Sequence, residues 1–436
     1  MTMKTDIFIA GSGCSGLYCA LKLPAEKKIL VITKSDLESN DSYLAQGGMC
    51  MMRDDDDFDD YFEDTLRAGH YENDCRSVEI MIRSSRDVVK DLLGYGVDFE
   101  RDEDGALAFT REGAHSAERV LFHEDITGKE ITSKLLAEAC RRENITMMEY
   151  TTLVDIIEKD GRCAGAVIRM SDGSLETVEA EEVVLACGGI GGLYRHSTNF
   201  RHLTGDAIAI AIKHGVECKD MDYIQIHPTT LYSEEEGRSF LISESVRGEG
   251  AHLYNKDMER FADELMPRDR LTSAIRRQMQ EDGTEFVWED MRLIPEEEIK
   301  SHFPNIAEHC MKMGYDVTKE CIPVVPAQHY FMGGIKVDHE SRTSMEGLYA
   351  VGETACNGVH GKNRLASNSL LESLVFAGRA AHDMAMKRSP AGRDDGLPDV
   401  DLGMYEDQDA LAEEYKHLVL NKIEEMSKER RKNDVR

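Results

Sequence analysis

The sequence predicts an α/β fold in which a dinucleotide-binding domain, built on a parallel sheet, is interrupted by an inserted α+β segment. Three observations predict it. A strand, a glycine loop, a helix and a second strand follow one another within about 30 residues of the start. Between about residues 221 and 334 the composition turns to His, Arg and Glu, with few long apolar runs. An apolar strand pattern then returns at residues 347–353, so the chain leaves its first domain and comes back to it.

Each element has its own signal. Residues 6–10 are a short apolar run, Gly11-Ser12-Gly13-Cys14-Ser15-Gly16 follows, and Leu17, Ala20, Leu21 and Leu23 recur at helical spacing before a second buried strand at 28–32. A strand feeding a helix through small residues brings backbone N–H groups and the positive end of the helix to a pyrophosphate. The second strand ends Ile32-Thr33-Lys34 without an acid for a ribose, so the loop alone leaves open which dinucleotide binds. The acidic run at 54–60 is expected to be a solvated, self-repelling surface stretch.

Helical periodicity covers about 59–67, 75–95 and 128–143. Strand signals at 147–150, 152–159, 163–170 and 177–180, divided by Asp160-Gly161 and Asp172-Gly173 turns, predict an antiparallel meander. Residues 183–186 then form a separate core strand that ends in the glycine-rich loop 187–192, where open α/β sheets place their ligands. After the insertion, the strand at 347–353 leads through a Gly- and Asn-rich loop to a helix over 369–386. A Pro/Gly/Asp-rich linker beyond Ser389 and a highly charged helix over 413–436 follow. The expected division is 1–222 and 336–388 for the discontinuous dinucleotide domain, 223–335 for the insertion and 389–436 for a short helical tail.

Composition bounds the function classes. At roughly 100–200 residues per domain, a chain of 436 residues predicts two to four domains with a sizeable core. Lys and Arg number 52 against 83 Asp and Glu, a formal charge of -31, which excludes a nucleic-acid binder that relies on a basic surface and disfavours docking on an anionic membrane. With 41% hydrophobic and 31% charged residues the chain is expected to be globular, and no apolar run approaches a membrane span. The start of the chain runs directly into a strand with no leader pattern, so a cytoplasmic location is expected. Eleven cysteines, an odd number without CxxC spacing, predict reduced thiols and neither a disulfide framework nor a metal or iron–sulfur site.

Chemistry concentrates in a few constellations. Gly352-Glu353 ends a strand, where a carboxylate can meet a cofactor hydroxyl. His227, Ser243, Glu244, Arg247, Arg268, His329 and Arg364 lie in short runs with glycine or proline neighbours. Arginine forks bind carboxylates bidentately, and histidines and hydroxyls complete such a clamp, so the group suits a dicarboxylate. Singly, each His reads as a structural residue and each Arg as a surface ion pair; together, in so acidic a chain, they read as a site.

These motifs, with Ala45-Gln46-Gly47-Gly48, Thr204-Gly205-Asp206, His227-Pro228-Thr229, Arg247-Gly248-Glu249-Gly250, Pro267-Arg268-Asp269, His329-Tyr330-x-Met332-Gly333-Gly334 and Asn363-Arg364-x-Ala366-Ser367-Asn368-Ser369-Leu370, resemble the succinate dehydrogenase/fumarate reductase flavoprotein family. The resemblance runs in the family's order over about residues 5–388. It implies a Rossmann-like FAD-binding domain with an inserted α+β capping domain. It implies FAD contacts at Gly11, Ser12, Gly13, Cys14, Ser15 and Gly16, at Lys34 in place of the usual acid, at Asp41, Ser42, Ala45, Gln46, Gly47 and Gly48, and at Val154, Glu353, Ser369 and Leu370. Relatives that attach FAD covalently do so through a histidine before the Ala-Gln-Gly-Gly loop; residues 40–44 hold none, so FAD is expected to be noncovalent. Substrate carboxylate ligands fall on His227, Ser243, His329, Arg364 and Ser367, and Arg268 matches the family's proton-carrying arginine, with Glu244 beside it.

Within the family the chain most resembles the members that oxidise L-aspartate to iminoaspartate at the start of NAD biosynthesis. Arg111-Glu112-Gly113 matches their loop, in which the acid pairs with the substrate ammonium and repels succinate. The resemblance then implies hydride loss from Cα to flavin N5, reoxidation by oxygen or fumarate, and a quinolinate synthase as consumer of the product. A soluble fumarate reductase is the alternative reading. Such members usually add a C-terminal helical bundle, for which the residues after 388 leave too little chain, so the domain estimate narrows to two plus a short charged helix.

Overall fold

The computed structural model describes residues 2–235, 237–387 and 396–434; the beginning of the linker expected beyond Ser389 lies outside them. The main sheet has seven strands, and its centre is the first strand, Thr2–Ala10. That strand pairs in parallel with Ile29–Ile32 on one side and Leu175–Leu185 on the other, and Ile29–Ile32 pairs in parallel with Ile145–Met148 at the edge. Parallel strands are buried on both faces, which is why Ile29–Ile32 reads as an unbroken apolar run.

Two strand expectations are corrected. The segments expected at 177–180 and 183–186 are one eleven-residue strand, Leu175–Leu185. Glu181 and Glu182 between them are charged but are not turn formers, so nothing breaks the extended backbone. One edge of this strand pairs with Arg162–Arg169 over its first half and with Leu348–Ala350 over its end, so it serves the antiparallel meander and the parallel core together. The strand expected at 147–150 is Ile145–Met148, which belongs to the parallel edge and not to the meander.

The first helix, Cys14–Lys22, leaves the glycine loop with every residue but Lys22 buried. Gly11 has φ +124°, and a Cβ there would lie 2.0 Å from the Ala186 carbonyl oxygen. A Cβ on Gly16 would lie 2.1 Å from the Gly11 carbonyl oxygen, so this glycine lets the helix close against the loop. The helix Asn368–Met386 packs beside it, with Gly378 against the ring of Tyr18.

The acidic run at 54–60 is not wholly solvated. Asp54 accepts from the Asp57 N–H, and Asp57 turns inward to pair at 2.9 Å with Arg119, which is 0% exposed. Asp64 pairs with the same guanidinium at 2.7 Å. Two carboxylates offset the cost of burying that cation, and its partners lie too far apart in sequence for charge patterning to find them.

The inserted segment forms a four-stranded antiparallel sheet in the order Ile224–Leu231, Ile322–Phe331, Val287–Asp290, His252–Tyr254. Its ten-residue strand Ile322–Phe331 is longer than the composition suggested. The pairing of the first two strands slips between His227 and Thr230, a bulge of the kind that re-aims side chains next to sites.

The C-terminal helix, Gln408–Asp434, is docked although it is rich in charge. Tyr415 and Val419 are buried against the helix Asp206–Lys213, the Tyr415 hydroxyl donates to the Val154 carbonyl at 2.7 Å, and Arg430 pairs with Asp220 and Asp222 at 3.0 Å. Among the described residues no helix is long and apolar enough to cross a membrane.

Candidate active site

A cavity of about 1160 Å³ opens where the parallel strands end and runs beneath the inserted sheet. At one end it is lined by Gly11, Ser12, Gly13 and Ser15, by Lys34, by Asp41, Ser42 and Ala45 to Gly48, and by Glu353, Ser369 and Leu370. Cys14 and Gly16 lie behind this wall: the Cys14 thiol accepts from the Ser42 hydroxyl at 3.2 Å, and Gly16 sets helix packing. Val154 does not line the cavity. It is buried in a cluster with Tyr405, its carbonyl accepts from Tyr415, and Leu153 faces the cavity in its place.

Lys34 pairs at 2.7 Å with Asp206, the first residue of the helix Asp206–Lys213. One Asp41 oxygen accepts from the Phe200 N–H at 3.0 Å while the other has no partner among the described residues, and burial pushes this carboxyl up to about 7. Burial, then the nearby Asp41, push Glu353 to about 8; its carboxyl accepts from the Phe331 N–H at 2.8 Å and stands where only glycine fits at position 189. The helix Cys14–Lys22 has no acid in its first turn, and Gly13 at its N-cap offers no side chain; the Cys14 N–H donates to the Ser42 hydroxyl at 3.2 Å, and the positive end of the helix favours an anion there. A glycine cradle, a helix end and buried oxygens lacking donors fit a dinucleotide with a polyol chain, as FAD has.

At the other end the anion-binding side chains meet. The Gln225 Oε1 accepts from both Arg268 and Arg364, each at 3.2 Å. Arg364 also donates to the Ser369 hydroxyl at 2.9 Å and stacks 4.8 Å from the Tyr330 ring centre, while its Nε has no partner among the described residues. Burial, then the neighbouring Arg268, lower its pKa to about 10, the signature of a cation held where an anion is wanted. The rings of His227 and His329 lie 5.4 Å apart, edge to face. Burial first, then nearby arginines, hold both well below the usual imidazole range, so both are neutral at pH 7. Nδ1 of His329 is engaged by the Thr198 hydroxyl at 2.8 Å, and Nδ1 of His227 lies 2.9 Å from the Thr229 carbonyl.

Arg268 opens the helix Arg268–Asp282, and its Nε donates to Glu244 at 2.5 Å; Arg268 holds Glu244 below the usual carboxylate range. Ser243 caps the short helix Glu244–Gly248, with its hydroxyl accepting from the Ser245 N–H. The Ser367 hydroxyl donates to Glu112 at 2.5 Å, so it is engaged by the acid expected to meet an ammonium. Ser367 has φ +59°, a left-handed conformation that costs a non-glycine residue and recurs at functional sites. Burial raises the pKa of Glu112.

Sequence reasoning passed over Gln225, Tyr330 and Asp206 as site residues. Gln225 was within reach, because it stands two residues before His227 on the same strand and so on the same face. Tyr330 and Asp206 stand inside the motifs His329-Tyr330 and Thr204-Gly205-Asp206, which marked the family without assigning either residue a role.

The family model described as FAD binding domain matches residues 6–370. The L-aspartate oxidase of Clostridium perfringens is 48% identical over 382 residues, 87% of this chain and 87% of that protein. The L-aspartate oxidase of Clostridium acetobutylicum is 43% identical over 436 residues, 100% of this chain and 99% of the relative. Among solved structures, a point variant of E. coli quinol fumarate reductase FrdA superposes with a TM-score of 0.82 at 31% identity, covering 95% of this chain and 74% of the other.

Proposed function

This chain belongs to the FAD binding domain family, and on that premise we propose that it oxidises L-aspartate to iminoaspartate, the first step of NAD biosynthesis from aspartate. The protein is an FAD-dependent amino-acid oxidoreductase. The observation that carries the reading is the pair of guanidiniums converging on one amide oxygen, with the Glu112 carboxyl across the same cavity. That arrangement suits two carboxylates and one ammonium on a four-carbon chain.

Arg364 forks onto one carboxylate, and the neutral imidazoles of His227 and His329 offer their cavity-side nitrogens without adding charge. Glu112 pairs with the ammonium, and its raised pKa makes it the better base for the proton the amine gives up before the Cα–H bond breaks. Arg268 stabilises negative charge on the substrate, and Glu244 fixes its direction. Bound FAD supplies the two-electron acceptor, and oxygen or fumarate takes the electrons onward. The residues that would hold it, without a covalent link, are the glycine loop, Lys34, Asp41 to Gly48, Glu353 and the start of the helix Asn368–Met386. Residues 1–222 and 336–388 form the cofactor domain in this reading, and 223–335 cap the substrate.

We infer that the protein works in the cytoplasm, where its eleven free thiols stay reduced, and that a quinolinate synthase takes its hydrolysis-prone product. Purified holoprotein given L-aspartate in air is expected to produce hydrogen peroxide together with the hydrolysis products oxaloacetate and ammonia. Absence of these products in a preparation that reduces fumarate from an artificial donor replaces this reading with a fumarate reductase.

A further inference from the structure

Behind the loop that carries Glu112 lies a buried chain of polar groups that the chemistry above does not use. His115 is 1% exposed, and its Nδ1 lies 3.1 Å from a guanidinium nitrogen of Arg119. A guanidinium can only donate, so Nδ1 accepts and Nε2 carries the proton; that Nε2–H meets the Ala366 carbonyl at 3.1 Å. Arg119 is itself fixed by Asp57 and Asp64, so the imidazole has one tautomer and one direction. The Asp64 carboxylate also accepts from the Ser116 N–H and hydroxyl, each at 2.7 Å, which ties the end of the same loop. Burial lowers the His115 pKa to about 4, so the ring is neutral across the physiological range.

Both segments that His115 joins are strained. Ala114 has φ +67° and Ser367 has φ +59°, conformations that persist only where the surroundings enforce them. Ala366 directly precedes Ser367, the Ser367 carbonyl accepts from the Cys50 N–H at 3.0 Å, and the Ser367 hydroxyl holds Glu112. Glu112 therefore depends on a turn whose carbonyl is pinned from below by an imidazole three residues along its own loop.

We infer that His115 is a positioning residue for amino-group recognition: it locks the Glu112 loop to the turn at Ser367 and so fixes the carboxylate at a set distance from the arginine clamp. This rests on the reading of Glu112 as the partner of the substrate ammonium. The clamp residues Arg268, Arg364 and His227 make no hydrogen bond to His115 among the described residues, so loss of the imidazole is expected to weaken amino-group recognition more than dicarboxylate binding.

The test uses the FAD-loaded enzyme with three variants, His115→Asn, His115→Gln and Glu112→Gln, each checked for its flavin spectrum. For each, KM and kcat for L-aspartate are measured together with the Ki of succinate. His115→Asn removes the donor to Ala366 and is expected to raise the aspartate KM about tenfold, the equivalent of ~1.4 kcal/mol, with the succinate Ki little changed. His115→Gln can place an amide N–H where Nε2 stood and is expected to recover most of that loss. An unchanged aspartate KM in His115→Asn overturns the inference, and so does a parallel weakening of aspartate and succinate, which marks a merely structural role. If Glu112→Gln keeps the wild-type ratio of aspartate KM to succinate Ki, the reading beneath it is at fault and the inference falls with it; if Glu112→Gln shifts the ratio and His115→Asn does not, His115 alone is wrongly assigned.

Discussion

Two guanidiniums that share one amide oxygen repel each other until an anion comes between them. Gln225 holds Arg268 and Arg364 in that arrangement, and burial first, then the neighbouring Arg268, lowers the pKa of Arg364. Arg268→Leu removes one charge from the clamp and the partner of Glu244, and turnover is expected to fall by about 10²–10⁴ while the flavin spectrum stays that of bound FAD. Near-wild-type kcat in that variant removes Arg268 from the chemistry. The four basic side chains His227, Arg268, His329 and Arg364 were legible in the sequence because His227 and Arg268 each adjoin a proline, and His329 and Arg364 lie in short runs with a glycine, proline or alanine within three residues. Gln225 was legible only by its place two residues before His227 on one strand, since an amide announces itself only through the two charges it orients. Val154 was placed at the cofactor by resemblance, whereas the strand carrying it turns its side chain toward Tyr405.

At the scale of elements, the glycine loop shows how geometry enforces a residue type. Gly11 combines φ +124° with a Cβ position 2.0 Å from a backbone oxygen, and backbone cannot swing aside as a long side chain can. Gly11→Ala is expected to abolish retention of FAD through gel filtration, read as the ratio of flavin to protein absorbance; a full complement of FAD contradicts the tight-turn account. Helices were legible from periodicity, with 59–67 expected against Phe58–Ala68 found, and 369–386 against Asn368–Met386. Strands were less so, because a strand that changes partners halfway, as Leu175–Leu185 does, shows one uninterrupted pattern to two different neighbours. The C-terminal helix showed charge more clearly than the sparse seam of Tyr415, Val419 and Met426 by which it docks.

Across the whole molecule, a charge of -31 surrounds a cavity whose substrate end is cationic, so the anion is drawn by a local field against the general one. Buried acids add a pH dependence of their own. Burial pushes Asp41 and Glu289 up to about 7 and Glu353 to about 8, while unfolded carboxyls titrate at roughly 4–4.5. The fold therefore keeps protons that the unfolded chain has lost, and the stability they lend is full below the unfolded value and lost as pH rises through 7 to 8. Above about pH 7, where the buried histidines no longer titrate in the unfolded chain, the thermal midpoint of FAD-free protein is expected to fall toward about pH 8, and Glu353→Gln to flatten that fall. A midpoint that rises over this range contradicts the burial of these acids. The account as a whole stands on which four-carbon acid delivers electrons to the flavin. Under anaerobic conditions L-aspartate is expected to bleach the absorbance of the bound flavin, while succinate binds and leaves it oxidised; bleaching by succinate and not by L-aspartate contradicts the account.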